Sequence, residues 1–332
     1  MAIEVKIRPT QLPQNLLPDI SVPQHNTKRM QTLLGVLEPK LGPEPYGFQD
    51  LELTSPIGED YRQALVDAML SLSSPEGQAL FTASDNLAQI SRDAATCRAL
   101  ETMYVGPNRN GFTDSGQDYS WSRLFIDNIH NSMAVRNRKR LVAAEFGHFL
   151  EARLIDSSQD IEVLSIAAGS SRGLMEAVAG LDVRKRDRIQ LTMIDLSRNA
   201  LQDGEKLAKL LGINTVKAIR SPFNRYDRYL PAGYRPHFVE IVGLLDYLEE
   251  EQVIELLSQN RTHLADGGQI LYSNIAPNDE QDFTHQIVGW PDMKYRKVSD
   301  LLRFAASAGF TTDQLRVIPE PLGVYNLVSA TL

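Results

Sequence analysis

Cysteine is almost absent from this chain, and long apolar runs are missing altogether. One cysteine, Cys97, occurs among 332 residues. This count excludes a disulfide framework and is typical of a reducing compartment. No stretch approaches the roughly 18 consecutive apolar residues of a membrane-spanning helix, and the opening MAIEVKIRPTQLPQN lacks the basic-then-apolar order of a signal peptide. We therefore expect a cytoplasmic protein with no membrane span.

An excess of basic residues is missing as well. Lysine and arginine total 34 against 42 aspartates and glutamates, a formal net charge of −8. Proteins that bind nucleic acid through its phosphates need a basic face, so the composition disfavours a nucleic-acid partner. The six histidines are scattered, without an H-E-x-x-H helix or a Cys/His pair, and we expect no metal site.

The chain divides into two regions that differ in the spacing of their apolar residues. Seven of the 17 prolines lie in residues 1–45, where they disfavour long helices. Helical spacing of apolar residues then predicts helices over 58–74 and 85–104, and again from Trp121 to about Ile155 with a break near Asn131. These patterns predict an N-terminal, mainly helical region over residues 1–119.

Beyond Asp160, short apolar runs alternate with amphipathic helical patterns. The five runs are IEVLSIAAG, RIQLTMID, NTVKAIR, HFVEIVGLL and GGQILYSNI. Such alternation predicts parallel βαβ units in a doubly wound sheet. DQLRVI and VYNLVSATL, joined by a short turn, predict a terminal antiparallel hairpin. We expect an α/β, Rossmann-like, seven-stranded sheet over residues 120–332.

A turn of small residues follows the first predicted strand. In VLSIAAGSSRG, which ends at Gly173, small side chains would let a ligand approach the backbone beside a helix N-terminus, although packing alone could require them. Asp195 ends the second strand 22 residues later, where a carboxylate can accept hydrogen bonds from ribose hydroxyls. Asp195 could instead cap the next helix, a role for which Ser197 is an equal candidate. Together the two features favour an adenosine-containing cofactor.

The spacing of the glycines bears on which cofactor it is. G-x-G-x-x-G is absent: the turn has only Gly169 and Gly173, with Ala167 and Ser171 at alternate positions. A pyrophosphate needs close glycines, whereas S-adenosyl-L-methionine carries no phosphate. The turn therefore favours S-adenosyl-L-methionine over a dinucleotide.

The segment resembles class I, Rossmann-like, S-adenosylmethionine-dependent methyltransferases. Their first motif, acid-x-Gly-x-Gly-x-Gly, falls here on Ser165, Ala167, Gly169 and Ser171, so the acid that would meet the amino group of the methionine moiety is missing. Further strings resemble a bacterial group that includes enzymes of extracellular-factor (3-hydroxypalmitate methyl ester) biosynthesis. The resemblance covers about residues 119–332, and the strings are AVRNRKRLV, VLSIAAGSSRG, IDLSRNAL, GLLDYL, GGQILYSNIAPN and W-x(5)-R.

The resemblance implies S-adenosyl-L-methionine as methyl donor, a small-molecule acceptor and a set of cofactor-binding residues. On the helix before the sheet, Arg136 and then Arg138 would bind the cofactor carboxylate, although a solvated basic patch is an equal reading. Tyr119 would add a hydroxyl there, unless it only packs. The remaining positions follow the strands: Ala167, Ala168, Gly169 and Ser170; Asp195 and Leu196; Ser221, Pro222 and Phe223 beside adenine; Gly243 and Leu244.

The acceptor side is less specified. The Asn/Asp-Pro-Pro-aromatic motif of amine-methylating relatives is absent, which favours O-methylation of a carboxylate or hydroxyl. Tyr247 could orient the acceptor, His285 could act as base for a hydroxyl, and Arg296 could pair with an acidic acceptor; each could equally be structural. Asp246 could cap the following helix. The N-terminal region would cap the acceptor pocket or form a homodimer. The alternatives are a catalytically silent binding or scaffold subunit and, less favoured, a nicotinamide oxidoreductase.

Overall fold

The protein was analysed as a computed structural model, which describes residues 51–105, 116–156 and 159–332. The described residues form two compact units. The first consists of the described residues up to Asn137 together with Asn278–Asp292, and the second of the described residues in Arg138–Pro277 with Met293–Leu332. The predicted boundary between residues 119 and 120 stays a prediction.

The first unit is helical. Its helices are α1 Glu59–Leu70, α2 Ser74–Phe81, α3 Asp85–Arg92, α4 Cys97–Val105, α5 Gly116–Ile126, the first part of α6 His130–Asp156, and later in the chain α11 Gln281–Gln286. Four aromatic rings form its core, with centroid separations of 5.1 to 6.1 Å: Phe81, Trp121, Phe125 and Phe283. Edge-to-face and stacked rings at these distances pack well.

The second unit is a sheet flanked by helices. Its strands are β1 Ile161–Ile166, β2 Ile189–Asp195, β3 Val216–Arg220, β4 Phe238–Ile241, β5 Gln269–Ile275, β6 Leu315–Pro319 and β7 Tyr325–Thr331. Its helices are the rest of α6, α7 Arg172–Ala179, α8 Val183–Arg186, α9 Arg198–Leu210, α10 Glu250–His263 and α12 Val298–Ser307.

Strand order decides where a ligand can bind. The seven strands lie in the order β3-β2-β1-β4-β5-β7-β6. β1 to β5 are parallel, and β7 is antiparallel to both β5 and β6. The predicted fold class is confirmed. The order reverses between β1 and β4, which makes their carboxyl ends the topological switch point.

Helix boundaries differ from the sequence-based expectation in three places. The helix predicted over 58–74 ends at Leu70, and a second helix, α2, begins at Ser74. The single helix predicted over 85–104 is two, α3 and α4, because the chain turns at Asp93–Thr96 with Ala95 in a left-handed conformation (φ 60°). The break expected near Asn131 lies at residues 127–129, before α6 begins. Apolar periodicity continues across such turns, so it locates helical faces better than helix ends.

Two kinds of feature are absent from the described residues. Among them, no helix combines the length and apolar character that crossing a membrane requires. The same residues contain no group of three or more histidine, cysteine, aspartate or glutamate side chains arranged to hold a metal ion.

Candidate functional site

The turn after β1 has an unusual backbone. Ala167, Gly169 and Ser171 all have positive φ, at 53°, 53° and 47°. L-residues pay about 1–2 kcal/mol for this conformation, so the fold imposes it on the alanine and the serine. The Ser171 N–H donates to the Ala168 carbonyl at 2.7 Å. The Ala168 N–H donates to the Ile194 carbonyl at 2.9 Å, so hydrogen bonds within the turn and to the end of β2 hold this conformation.

Asp195, at the end of β2, holds this turn in place. Its Oδ2 accepts the Gly169 N–H at 2.9 Å, and its Oδ1 accepts the Ser197 N–H at 2.7 Å. The N-cap of α9 is Ser197, whose hydroxyl accepts the Ala200 N–H. Asp195 is therefore not the helix cap. Each carboxylate oxygen can accept a further hydrogen bond, so Asp195 can still receive ribose hydroxyls.

The predicted adenine-side residues follow β2 and β3, which are hydrogen-bonded neighbours. Leu196 is 63% exposed. The Ser221 N–H donates to the Asp195 carbonyl at 3.1 Å, and Phe223 packs partly buried against the core. Pro222 is half-buried between them. These residues offer one exposed and one half-buried apolar side chain at adjacent strand ends.

The turn after β4 is built around Gly243, whose φ of 87° suits glycine. A Cβ on Gly243 would lie 3.7 Å from the guanidinium of Arg138. Half-buried Leu244 leads into a 3₁₀ turn over Leu245–Tyr247, and Tyr247 is 37% exposed. This segment therefore brings a glycine turn and a partly exposed tyrosine to the carboxyl end of β4.

Asp246 has a structural task in the same turn. Its Oδ1 accepts the Ile275 N–H at 2.7 Å, and its Oδ2 lies 3.9 Å from Arg138 Nη1. The N-cap of α10 is Glu249, so Asp246 does not cap that helix. Burial raises the pKa of Asp246, and the charge of Arg138 opposes the rise.

Arg138 lies among these groups. It is buried, with its guanidinium carbon 4.2 Å from the centroid of the Tyr325 ring. Cation–π and ion-pair contacts both hold a guanidinium in one orientation. The structure thus brings Arg138, Gly243 and Asp246 together at the carboxyl end of β4.

Sequence reasoning missed Glu240, on β4. In the parallel pairing of β1 with β4, Glu240 stands opposite Ser165. The Ser165 hydroxyl donates to Glu240 Oε2 at 2.5 Å. Burial raises the pKa of Glu240 to about 7, opposed by this hydrogen bond and by the charge of Arg138. The available signal was an acid inside the otherwise apolar run FVEIV, since buried carboxylates need a partner.

Comparison with known proteins identifies the family. The family model described as "Putative methyltransferase" matches residues 104–317. The chain belongs to this methyltransferase family. The predictions of a methyltransferase and of S-adenosylmethionine as its methyl donor are thereby confirmed, whereas membership of the 3-hydroxypalmitate methyl ester group is not. No curated protein matches the sequence.

Solved structures similar to this methyltransferase support its fold. One is a possible exported protein from Bordetella parapertussis, with TM-score 0.56, 18% identity and coverage of 91% of this chain and 95% of that one. Another is the CurJ carbon methyltransferase, with TM-score 0.51, 14% identity and coverage of 78% and 69%. At these identities the likeness concerns the fold alone.

A third similar structure is magnesium protoporphyrin IX methyltransferase from Synechocystis PCC 6803, which has S-adenosylhomocysteine bound. Its TM-score is 0.46 at 13% identity, with coverage of 64% of this chain and 91% of that one. The ligand belongs to that protein, and at this similarity it assigns no residue here.

The donor set of this methyltransferase fits an adenosyl-amino acid. Ala167, Ala168, Gly169 and Ser170 supply a turn of small residues, and Asp195 supplies a carboxylate beside it. The half-buried state of the first three keeps backbone within reach of a ligand, while Ser170 is buried. Ala167 and Ser171 stand in this turn where a pyrophosphate would need close glycines, which agrees with the choice of S-adenosylmethionine over a dinucleotide.

Arg296 is engaged in holding the β4 turn. The residue is buried and its Nη1 donates to the Leu245 carbonyl at 2.6 Å and to Asn274 Oδ1 at 2.8 Å, while Nη2 donates to the Leu248 carbonyl. Three acceptors from two segments define a positioning role. Its predicted pairing with an acidic acceptor stays a prediction.

Three predicted residues of the methyltransferase belong to the first unit. Arg136 is 1% exposed and forms a two-pronged ion pair with Glu52, at 2.5 and 2.7 Å, and its Nη1 donates to the Ile126 carbonyl. His285, on α11, has its Nδ1 3.3 Å from Asp292 and a half-exposed side chain. The side chain of Tyr119, on α5, lies outside the described residues. Their assigned roles stay predictions.

Proposed function

We propose that this methyltransferase transfers the methyl group of S-adenosylmethionine to an oxygen of a small-molecule acceptor. One observation carries the assignment of the donor site: at the switch point of the sheet, the left-handed turn Ala167–Ser171 is tied by the Gly169 N–H to the Asp195 carboxylate. S-adenosylmethionine supplies an electrophilic methyl group when bound. The chain's own residues then need to bind, align and exclude water.

The residues divide the binding task by chemistry. The backbone of Ala167–Ser170 supports the amino-acid portion, and Asp195 accepts ribose hydroxyls. Leu196 and Phe223 flank adenine with apolar surface, while Pro222 and the Ser221 backbone border its edge. Gly243 and Leu244 let backbone approach the sulfur.

The turn after β4 supports oxygen rather than amine methylation. In amine-methylating relatives, the polar side chain of the Asn/Asp-Pro-Pro-aromatic motif at this position orients the nitrogen lone pair of the acceptor. Here the polar side chain of the turn, Asp246, already accepts the Ile275 N–H and faces Arg138. Leu244 and Leu245 occupy the preceding positions. A carboxylate acceptor needs no base, and Tyr247, which is 37% exposed, would orient it.

The roles predicted for three residues of the helical unit are proposed in a more limited form: Arg136, Tyr119 and His285. Arg138 replaces Arg136 as the better-supported guanidinium for the cofactor carboxylate, because it belongs to the same unit as the turn and lies beside Gly243. Tyr119 is kept as a hydroxyl near that carboxylate, and His285 as the base for a hydroxyl acceptor. We also propose a cytoplasmic setting, with residues 1–119 capping the acceptor or forming a homodimer.

Binding and turnover test the proposal. S-adenosylhomocysteine and S-adenosylmethionine should raise the melting temperature, and NAD should not. Labelled methyl from S-adenosylmethionine should then pass to members of a panel of small carboxylic acids and alcohols rather than amines. Absence of any shift would favour a scaffold subunit, and transfer to amines alone would contradict the oxygen assignment.

Substitution of Asp195 tests the proposed cofactor site at a single residue. Asp195→Ala should weaken S-adenosylhomocysteine binding at least tenfold, because it removes the ribose acceptor and releases the Gly169 N–H. Asp195→Asn keeps one oxygen and should lose less. Glu205→Ala, at an exposed position of α9, is the control and should bind like the parent. Unchanged binding by Asp195→Ala would refute the ribose contact.

A further inference from the structure

A buried carboxylate occupies the switch point of the sheet. Glu240 on β4 is 8% exposed and stands opposite Ser165 on β1, one residue before each strand ends. In the described part of the chain, Glu240 Oε2 accepts the Ser165 hydroxyl and Oε1 accepts no hydrogen bond. A carboxylate this buried, with one oxygen open, is suited to a cationic N–H donor.

Ser165, the hydrogen-bond partner of Glu240, stands where a carboxylate is expected. Methyltransferases that resemble this chain carry an acid at that position of the first strand, and this chain has a serine. The Ser165 hydroxyl lies 2.5 Å from Glu240 Oε2. This chain therefore carries its acid on the neighbouring strand β4, opposite the position on β1 where those methyltransferases have theirs. The left-handed turn begins two residues after Ser165.

We propose that Glu240 binds the α-ammonium group of the methionine moiety of the methyl donor. This inference rests on the proposed function and adds a residue to it. The ammonium offers three N–H donors, and one can reach Oε1 while Ser165 keeps Oε2 in place. The sulfonium has no N–H to donate, so Glu240 selects the amino-acid end of the ligand.

The charged groups around Glu240 are consistent with a site that binds a cation. Arg138, from α6, acts electrostatically on both Glu240 and Asp246, and Arg296 also acts on Asp246. The positive charge of Arg138 is therefore shared between Glu240 and a second acid, Asp246. Burial raises its pKa to about 7, so without a ligand the group is partly protonated near neutral pH. An ammonium at Oε1 would favour the ionised form.

Calorimetric titration with a pair of ligands tests the role. S-adenosylhomocysteine keeps the α-ammonium, and its deamino analogue keeps adenosine, sulfur and carboxylate but lacks it. Glu240→Gln should weaken S-adenosylhomocysteine binding at least tenfold and change binding of the deamino analogue less than twofold. The control Glu162→Gln, on the amino-terminal end of β1, should leave both affinities within twofold.

The outcomes separate the two hypotheses. If the parent protein binds neither ligand, the proposed function fails. If the parent binds both and Glu240→Gln weakens both equally or neither, only the Glu240 assignment is overturned. The double variant S165D/E240S moves the acid back to the first strand and should regain a preference for S-adenosylhomocysteine over the deamino analogue that E240S lacks.

A measurement on the unmodified protein removes dependence on variant folding. Titrations at pH 7 in buffers of different ionisation enthalpy report protons released on binding. S-adenosylhomocysteine should release roughly half a proton, because a group with a pKa near 7 becomes fully ionised, and the deamino analogue should release none. Equal proton release by both ligands would overturn the assignment.

Discussion

Ala167 and Ser171 adopt backbone conformations that glycine normally occupies. Their φ values of 53° and 47° coincide with positions at which the resembling methyltransferases carry glycine. The hydrogen bonds from Ala168 to the Ile194 carbonyl and from Gly169 to Asp195 hold the turn despite the cost. At the scale of single residues, this strained turn is where the fold overrides local preference.

Ala167→Gly should therefore stabilise the protein. The substitution removes about 1–2 kcal/mol of left-handed strain and costs about 0.5–1 kcal/mol through the greater entropy of the unfolded chain. The free energy of unfolding, measured by urea denaturation, should therefore rise by up to about 1.5 kcal/mol. Ala168→Gly is the matched control, because Ala168 does not have a positive φ, and it should lose about 0.5–1 kcal/mol. Destabilisation by both variants would show that Ala167 is not strained.

The segment Asn278–Asp292 belongs to the helical unit although it follows β5. Glu280, 0% exposed, accepts Arg62 Nη1 at 2.6 Å and the backbone N–H groups of His130 and Asn131 at 2.9 and 2.8 Å. It thereby satisfies the first donors of α6 from 150 residues away. At the scale of elements, one buried carboxylate joins α1, α6 and α11.

Removing that carboxylate should be costly. Glu280→Ala removes the fully buried carboxylate that pairs with Arg62 and leaves two helix N–H groups without their acceptor. Among the described residues, Arg62 keeps only the partly exposed Glu59 and Asp279 as ion-pair partners, so the substitution should lower the free energy of unfolding by about 3–5 kcal/mol. The control Asp279→Ala also removes a partner of Arg62, but that side chain is 52% exposed, and the loss should stay below about 1 kcal/mol. Comparable losses in the two variants, measured by urea denaturation, would contradict this assignment.

Buried acids also shape the response of the whole molecule to pH. Burial raises the pKa of Glu240 to about 7 from an ordinary 4.5. Between these values the folded state binds more protons than the unfolded state, so stability contributed by this group is present below pH 4.5 and declines as pH rises through 7. Glu59 acts in the opposite direction: desolvation would raise its pKa, but backbone and side-chain hydrogen bonds outweigh it and lower the pKa from 4.5 to about 2. The stability that Glu59 contributes is therefore present above pH 4.5 and is lost as the pH falls toward 2.

Glu240→Gln should flatten the pH dependence on the neutral side. Between pH 5 and pH 8 the parent should lose about 2–3 kcal/mol of unfolding free energy that the variant keeps, from a pKa difference between folded and unfolded states. Urea denaturation of both proteins at the two pH values measures the difference. Glu205→Gln, at an exposed position, should behave like the parent, and an identical pH response of Glu240→Gln would refute the raised pKa.

Several features followed from local patterns alone. Five apolar runs separated by helical patterns predicted β1 to β5, and the turn residues near Gly323 predicted the terminal hairpin. The predicted positions of the small-residue turn and of Asp195 at the end of β2 required no tertiary information, because strand and turn signals are local. These features also carried the resemblance to methyltransferases.

Tertiary structure decided which polar groups meet. Ser165 and Glu240 are 75 residues apart and pair because β4 adds beside β1. Arg136 forms an ion pair with Glu52, 84 residues earlier in the chain. Arg138, two residues after Arg136 on α6, lies beside Gly243 and Asp246 instead. The sequence by itself determined the strands, the turn and the acid at the end of β2. Strand order and helix packing determined the charge partners, because contacts between distant segments leave no periodic signal in the chain.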